Sequence, residues 1–522
     1  MAITFGRPRA LIPSLLLLVL FGFAYSFWSS AVSPARVKTT YPYDVETPHQ
    51  STAVATDDRQ PPLMEADIKK QLEVGHCAQY PDPGTVAVIL MTGATESLEQ
   101  LSTQLVTSLS CVQEPLLFSD LARRLGQHVI HDVLADVSPE IMVQRNVDFY
   151  AYRAQHELAA NGREVEIRLL GESVLSMEDR QYPEERAVLR LDKYKILHAI
   201  ELAWRLQPDK EWYCFLHANS YLSWPNLLAF LTKQDPSGSW YFGEAVVVLS
   251  KSRLSEMNSD AGFILSGRVV RDWNNGSTSF ASIWDSRIDK TRSAKDVLGT
   301  ALNDELHVQV TDATPMMPAE GPERLAFGPD NWCIPLVALG HLEPRQLDLL
   351  YHTEVAMDRS PLRFKDLHAA YNKVGYPFKR DGWDNGSDDP KHTIDIVPND
   401  PERAKGQWEP KDLVDPNQNY LACEIACIQQ QACFQFSFTT FTNSTGSAAE
   451  TTTACHLSRA FSMGSMLDGD LTESRGGSKS IKPVRKRLAT AVHLPIKQAN
   501  RAVRYSSIYE DPPTTSRSGC AR

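Results

Sequence analysis

Two sets of residues in this chain have the types and spacing to do chemistry. The first is a cysteine group, Cys423-x3-Cys427-x5-Cys433, followed later by Cys455. Cys423 and Cys427 are four apart and share a helix face. Cys433 opens a run of alternating aromatics, Phe434-Gln435-Phe436-Ser437-Phe438. Four such cysteines hold zinc in a reducing compartment or form two disulfides in an oxidising one. The second set is a series of polar tips that end short apolar runs. Thr92-Gly93 follows Thr85–Met91, Ser119-Asp120 follows Pro115–Phe118, and His217-Ala218-Asn219-Ser220 follows Trp212–Leu216. In α/β sheets, ligands bind at the carboxyl ends of strands, so Thr92, Asp120 and His217 mark the expected site.

These tips need strands and helices to bring them together. Thr85–Met91 is β-rich and apolar, and a turn signal ends it. Glu96–Leu109 carries Leu98, Leu101, Leu105 and Leu109 at helical spacing. Residues 147–158 and 188–206 read as helices, and another begins at Trp224-Pro225-Asn226. Strands alternating with helices predict an α/β fold with a mostly parallel sheet.

The 522 residues, 42% hydrophobic and 22% charged, exclude a wholly disordered chain. A net charge of -11 argues against nucleic-acid binding by the bulk surface. No charged residue lies between Arg9 and Arg36. This interval holds an apolar run that reaches the roughly 20 residues of a membrane span if it extends over 10–32. Arg7 and Arg9 before it predict a cytosolic tail (1–9) and a type II signal-anchor, with a cleaved signal peptide as the competing reading. Residues 33–75, rich in Pro, Thr and Ser, read as a stem. The last segment, 471–522, holds eleven Lys and Arg against three acidic residues and reads as a basic disordered tail. Its sharper reading is a contact with a lumenal polyanion or lipid headgroup.

Residues 76–360 resemble glycosyltransferase family 31, in particular its fungal branch near the core 1 β-1,3-galactosyltransferases. Met91–Glu96 (MTGATE), Leu117–Asp120 (LFSD), Leu191–Lys195 (LDKYK), Trp224–Leu228 (WPNLL), Trp240–Gly243 (WYFG), Ala261–Ser266 (AGFILS) and Trp332–Pro335 (WCIP) carry the match in order. The resemblance implies a GT-A fold, a UDP-sugar donor, a glycan or glycoprotein acceptor, manganese and a Golgi-type, single-pass membrane enzyme with a lumenal domain. It places Thr92, Gly93, Asp120, Lys193 and Lys195 at the donor. Lys193 and Lys195 face the diphosphate in this reading or are solvated helix residues. Asp120 meets the nucleoside or caps a following helix.

The chain departs from the family where the chemistry belongs. The acidic metal motif is replaced by His217-Ala218-Asn219, and its distal histidine position is Gly340, with His341 adjacent. His217, Asn219 and His341 are thus the residues left to hold the metal. The acceptor motif, Asp260-Ala261-Gly262, has lost its leading glycines. The position of the catalytic acid is Lys295, with Asp296 next to it as the substitute base.

Residues 361–412 read as a connector with little secondary structure. Residues 413–470 resemble a PAN/apple-type module, where a lumenal location makes disulfides among Cys423, Cys427, Cys433 and Cys455 more natural than zinc. Cys77 and Cys111 are a further candidate pair, and Cys214 reads as a core thiol. Sequons stand at Asn275, Asn385 and Asn443. Two functions follow: an inverting transfer of a hexose, most simply galactose, from a UDP-sugar, or a pseudo-transferase that binds glycan or a partner without catalysis.

Overall fold

Val86–Met91 forms β1, buried along its whole length, with side chains that alternate between two cores. Ala87, Ile89 and Met91 enter one core, and Val86, Val88 and Leu90 the other. A strand covered on both faces reads as a continuous apolar run, which explains the VAVILM sequence. The computed structural model describes residues 76–142, 146–163, 165, 183–248, 253–258, 261–289, 294–357, 360–372, 379–395, 415–443, 450–466 and 490–491. The expected anchor (10–32) and stem (33–75) lie outside the described residues. Among the described residues, no helix is long and apolar enough to cross a membrane.

Helix α1 (Leu98–Val106) follows β1, capped by the Ser97 side chain on Gln100 N. Then come β2 (Leu116–Ser119) and the hairpin β3 (Arg123–Leu125) and β4 (His128–Asp132). Next are α2 (Tyr150–Ala160), α3 (Pro183–Leu206), β5 (Trp212–His217), β6 (Tyr221–Leu222) and α4 (Trp224–Leu231). Strands β7 (Tyr241–Val248), β8 (Arg253–Asn258) and β9 (Phe263–Ser266) lead to helices α5 (Gly267–Asn274), α6 (Phe280–Ile288) and α7 (Ala294–Leu306). Strand β10 (Thr311–Asp312), β11 (Ala338–Leu339), α8 (Pro344–Val355) and α9 (Phe364–Tyr371) complete this part.

The large sheet runs β10-β7-β9-β5-β1-β2-β4-β3, with β8 paired to β7. It is α/β as expected, but its parallel pairing is confined to β5-β1-β2-β4 and to β10-β7. Strand β9 pairs antiparallel with both β5 and β7. Strand β8 follows β7 too closely for a crossover helix, so it returns antiparallel, and β9 continues in the same direction along β7. Helix α3 packs with α5, α6 and α7.

The segment read as a connector with little secondary structure contains α9, because Leu362, Phe364 and Leu367 bury themselves against Leu336, Leu347 and Leu350. Farther on, β12 (Trp383–Asp384) and β13 (Thr393–Ile394) pair with strands of the cysteine module. That module comprises α10 (Tyr420–Gln429), β14 (Gln435–Asn443), β15 (Glu450–Ser458) and β16 (Ser465–Met466). Its cysteines form Cys423–Cys455 and Cys427–Cys433, so these thiols are unavailable to zinc. Cys77–Cys111 forms as expected, and Cys214 is a buried free thiol that burial pushes up to about 12. Within the basic tail, Thr490–Ala491 forms β17 and pairs with Phe436 and Ser437 of β14.

The module is joined to the larger part through an apolar seam. Phe327 and Phe461 exchange backbone hydrogen bonds of 2.7 and 2.9 Å. His368 lies against the rings of Phe327, Trp332 and Phe461, and burial lowers its imidazole to about 4, so it is neutral at pH 7.

Candidate functional site

The register of the parallel strands sets the site. Met91 is opposite both Phe118 of β2 and His217 of β5. Two backbone bonds extend the alignment past the strand ends: Thr92 N to Phe118 O at 2.8 Å and Ala218 N to Met91 O at 2.9 Å. Thr92, Asp120 and His217 therefore stand along one edge of the sheet. Ala261 and Gly262 join them, because Phe263 of β9 pairs with Phe215 of β5. Gly262 has φ +104°, and a Cβ there would lie 2.3 Å from Phe215 O. Only glycine combines that conformation with so close an approach.

Asp120 and Lys195 form the electrostatic centre of this edge. Asp120 accepts from Ala94 N at 2.6 Å and pairs with Lys195 Nζ at 2.9 Å. Lys195 also meets Asp192 at 2.8 Å and donates to Thr92 O at 3.2 Å. Burial opposes both charges, but the ion pairing outweighs it. The Asp120 carboxyl is held below its ordinary value, and the Lys195 ammonium above its own. The three Lys195 donors are thus committed within the protein, and it is not a solvated helix residue. Asp120 caps no helix, since the β3–β4 hairpin follows it. Its role in this arrangement is to hold the turn after β1.

Lys193 lies in a different cluster. It is buried and pairs with Asp148 at 2.7 Å, beside Tyr194, whose hydroxyl lies 3.2 Å from the carboxylates of both Asp148 and Asp289. Neither lysine is solvated, which the LDKYK spacing alone did not reveal.

The tip of β5 is tied to the loop before α8. Leu342 N donates to Asn219 O at 2.8 Å, which brings the Gly340–Leu342 backbone beside the His217–Ser220 loop. Backbone geometry thus places His217, Asn219 and His341 in neighbouring loops. His341 is exposed, with φ +58°. The donor set is two imidazoles and an amide, with no anionic oxygen. Among the described residues, no three His, Cys, Asp or Glu side chains converge on a metal position. These residues do not fit manganese, which favours carboxylate oxygens.

Asp260 lies outside the described residues. Lys295 and Asp296 fall in the first turn of α7, which packs against β8 and α3. Their side chains are likewise outside the described residues. Of the sequons, Asn275 is exposed after α5. Asn385 is fully buried, and its Nδ2 donates to Phe436 O at 3.0 Å, so a glycan on that nitrogen is incompatible with this packing. Asn443 ends β14, with its side chain outside the described residues.

Four residues of the edge were not singled out from the sequence. Glu96 accepts from Thr92 Oγ1 at 3.3 Å, and burial raises its carboxyl, with Thr92 and Lys195 pulling the other way. Arg123 donates to Gly93 O at 3.4 Å. Gln100 and Gln104 of α1 donate into the loop after β5. Glu96 ends the MTGATE segment and could have been found there. The two glutamines carry no motif signal; only their i, i+4 spacing on a helix next to that segment points to them.

No protein-family model matches the chain, and no curated protein matches it.

Proposed function

We propose that the chain is a glycosyltransferase-like protein whose strand edge binds a glycan or sugar nucleotide, and that metal-dependent transfer has been lost. The observation that carries this reading is the donor set at the tip of β5. It is held in place by backbone and side-chain bonds, yet offers no carboxylate to a cation. The committed donors of Lys195 argue in the same direction, because a diphosphate would have to be met without this lysine. The parallel run β5-β1-β2-β4 and the close backbone approach at Gly262 support a GT-A-type scaffold. Disulfides at Cys77–Cys111, Cys423–Cys455 and Cys427–Cys433 support an oxidising compartment. In this reading that compartment is a Golgi-type lumen, reached through the type II anchor at 10–32.

The second reading is an active, inverting hexosyltransferase acting on a glycan or glycoprotein hydroxyl, with Asp296 as base. Retention of Ala261 and Gly262 at the same edge as His217 favours it.

Calorimetry on the full chain in detergent, with UDP, UDP-galactose and galactose-terminated glycans, each with and without manganese, separates the two. The first reading expects binding of at least one sugar ligand, unaffected by manganese. Manganese-dependent UDP-galactose binding accompanied by galactose transfer would replace it with the second. Absence of binding to every ligand would remove both.

A further inference from the structure

Two buried glutamines bind the tip of β5 and the loop before α8 into one unit. Gln100 Nε2 donates to Ala218 O at 2.9 Å and to Leu342 O at 3.1 Å. Gln104 Nε2, one turn along α1, donates to Ala218 O at 2.7 Å and to Ser220 O. Gln104, Ala218 and Ser220 are at most 1% exposed, so water cannot replace these bonds. A buried carbonyl that loses its donor keeps the full desolvation cost, so the loops relax rather than stay in place unbonded.

The four bonds have a common geometry. Each glutamine spends both amide hydrogens on carbonyls, and the two share Ala218 O. Only Gln100 reaches both loops, while Gln104 fixes both sides of Asn219. The direct bond from Leu342 N to Asn219 O then closes a ring through α1, the β5 tip and the loop before α8. These bonds run through backbone carbonyls and the two glutamine amides, so the ring fixes the backbone that carries the side chains at 217, 219 and 341.

We infer that Gln100 and Gln104 are positioning residues. They hold His217, Asn219 and His341 as one preorganised ligand-facing surface, so that loosening either glutamine loosens both loops together. The ligand-facing part rests on the function proposed above; the coupling of the loops does not.

The test is hydrogen exchange on the full chain in detergent, comparing wild type with Gln104→Met and Gln100→Met. Methionine keeps the length and removes the donors. Gln100→Met is expected to speed exchange about tenfold in both 217–222 and 339–342, with β1 amides unchanged. Gln104→Met is expected to do the same, more strongly at 217–222. UDP-galactose or glycan affinity, whichever the wild type shows, should fall by a similar factor. Wild-type exchange in both loops of a folded variant, or loosening of one loop alone in Gln100→Met, would overturn the coupling. If Gln104→Met fails to fold, Gln100→Met decides, because it removes the side chain that bonds both loops. Gln104→Glu adds a readout that lost packing would not give. Its protonated carboxyl keeps one donor, so protection should return as pH falls, and pH-independent exchange would count against the clamp. A wild type that binds no sugar ligand would sink the functional reading and leave the exchange result to decide the clamp.

Discussion

Asp120 and Lys195 form a buried ion pair, 2.9 Å between Oδ2 and Nζ, that fastens the ends of β1 and β2 to helix α3. The pair is further bonded to Ala94 N, Ser119 Oγ, Asp192 and Thr92 O, partners that all lie in the protein. Lys195→Met would leave the Asp120 carboxylate buried without its counter-charge. We expect a loss of about 3–5 kcal/mol in urea unfolding. The double variant Asp120→Leu/Lys195→Met should recover much of it. If Lys195→Met alone unfolds at the wild-type midpoint, Lys195 is not an anchor, and that outcome favours the diphosphate role.

Glu354 of α8 predicts a pH dependence. Its carboxylate accepts from Tyr221 Oη at 2.7 Å and from Ser223 Oγ, which also caps α4. Burial raises it from 4.5 to about 7, with the two hydroxyls pulling the other way. The folded state therefore holds this proton more tightly than the unfolded state. The contribution is complete below pH 4.5 and is lost as pH rises through about 7. Glu354→Gln removes this slope. The gap in melting temperature between Glu354→Gln and wild type should move in favour of the variant between pH 5 and pH 8. A pH-independent gap would show that Glu354 does not titrate there.

The strands and their order of polar tips were legible in the sequence, because apolar runs and turn signals are local. Thr92, Asp120 and His217 are on one edge because a parallel sheet aligns strand ends, a rule that needs no side-chain detail. The partners of the lysines were not legible. Lys193 and Lys195 meet Asp148 and Asp120, residues distant in sequence and brought close only by the packing of α3. The same holds for Gln100 and Gln104, whose acceptors are backbone carbonyls that no sequence pattern marks. The fate of Asn385 was hidden for a related reason: its sequon is intact, but pairing of β12 with β16 draws it under β14.

Gly262 gives a third prediction. Its φ of +104° and the 2.3 Å approach of a built Cβ to Phe215 O leave no place for a side chain. Gly262→Ala must displace β9 from β5 beside the proposed site. A stability loss of about 1–3 kcal/mol, read by thermal unfolding, should accompany loss of sugar binding. An unchanged variant would mean that the β8–β9 link has a second accessible conformation.

The disulfides of the module should be needed for its own fold but not for the strand edge. The Cys423–Cys455 bridge ties α10 to β15 around a small core of Phe436, Phe438 and Leu457. Cys423→Ala/Cys455→Ala should cost about 2–4 kcal/mol and open residues 415–466 to proteolysis, with sugar affinity retained. Simultaneous loss of binding would instead make the Phe327–Phe461 seam part of the ligand site.

The strongest test of the proposed loss of metal chemistry is to restore it. The loop after β5 is held by the carbonyls of Ala218 and Ser220 and by the backbone of Asn219, so changes at the 217 and 219 side chains leave those bonds in place. His217→Asp/Asn219→Asp adds two carboxylates beside the loop that carries His341. Two carboxylates and an imidazole suit manganese far better than the native set. The variant should gain manganese binding by calorimetry, and manganese should then raise UDP-galactose affinity about tenfold or more through neutralisation of the diphosphate. Transfer should stay absent until a base is supplied, and Lys295→Asp is the third substitution to add. If the double variant binds no manganese, the loops have moved out of coordinating geometry as well as lost their carboxylates, and the loss is one of architecture rather than of two side chains.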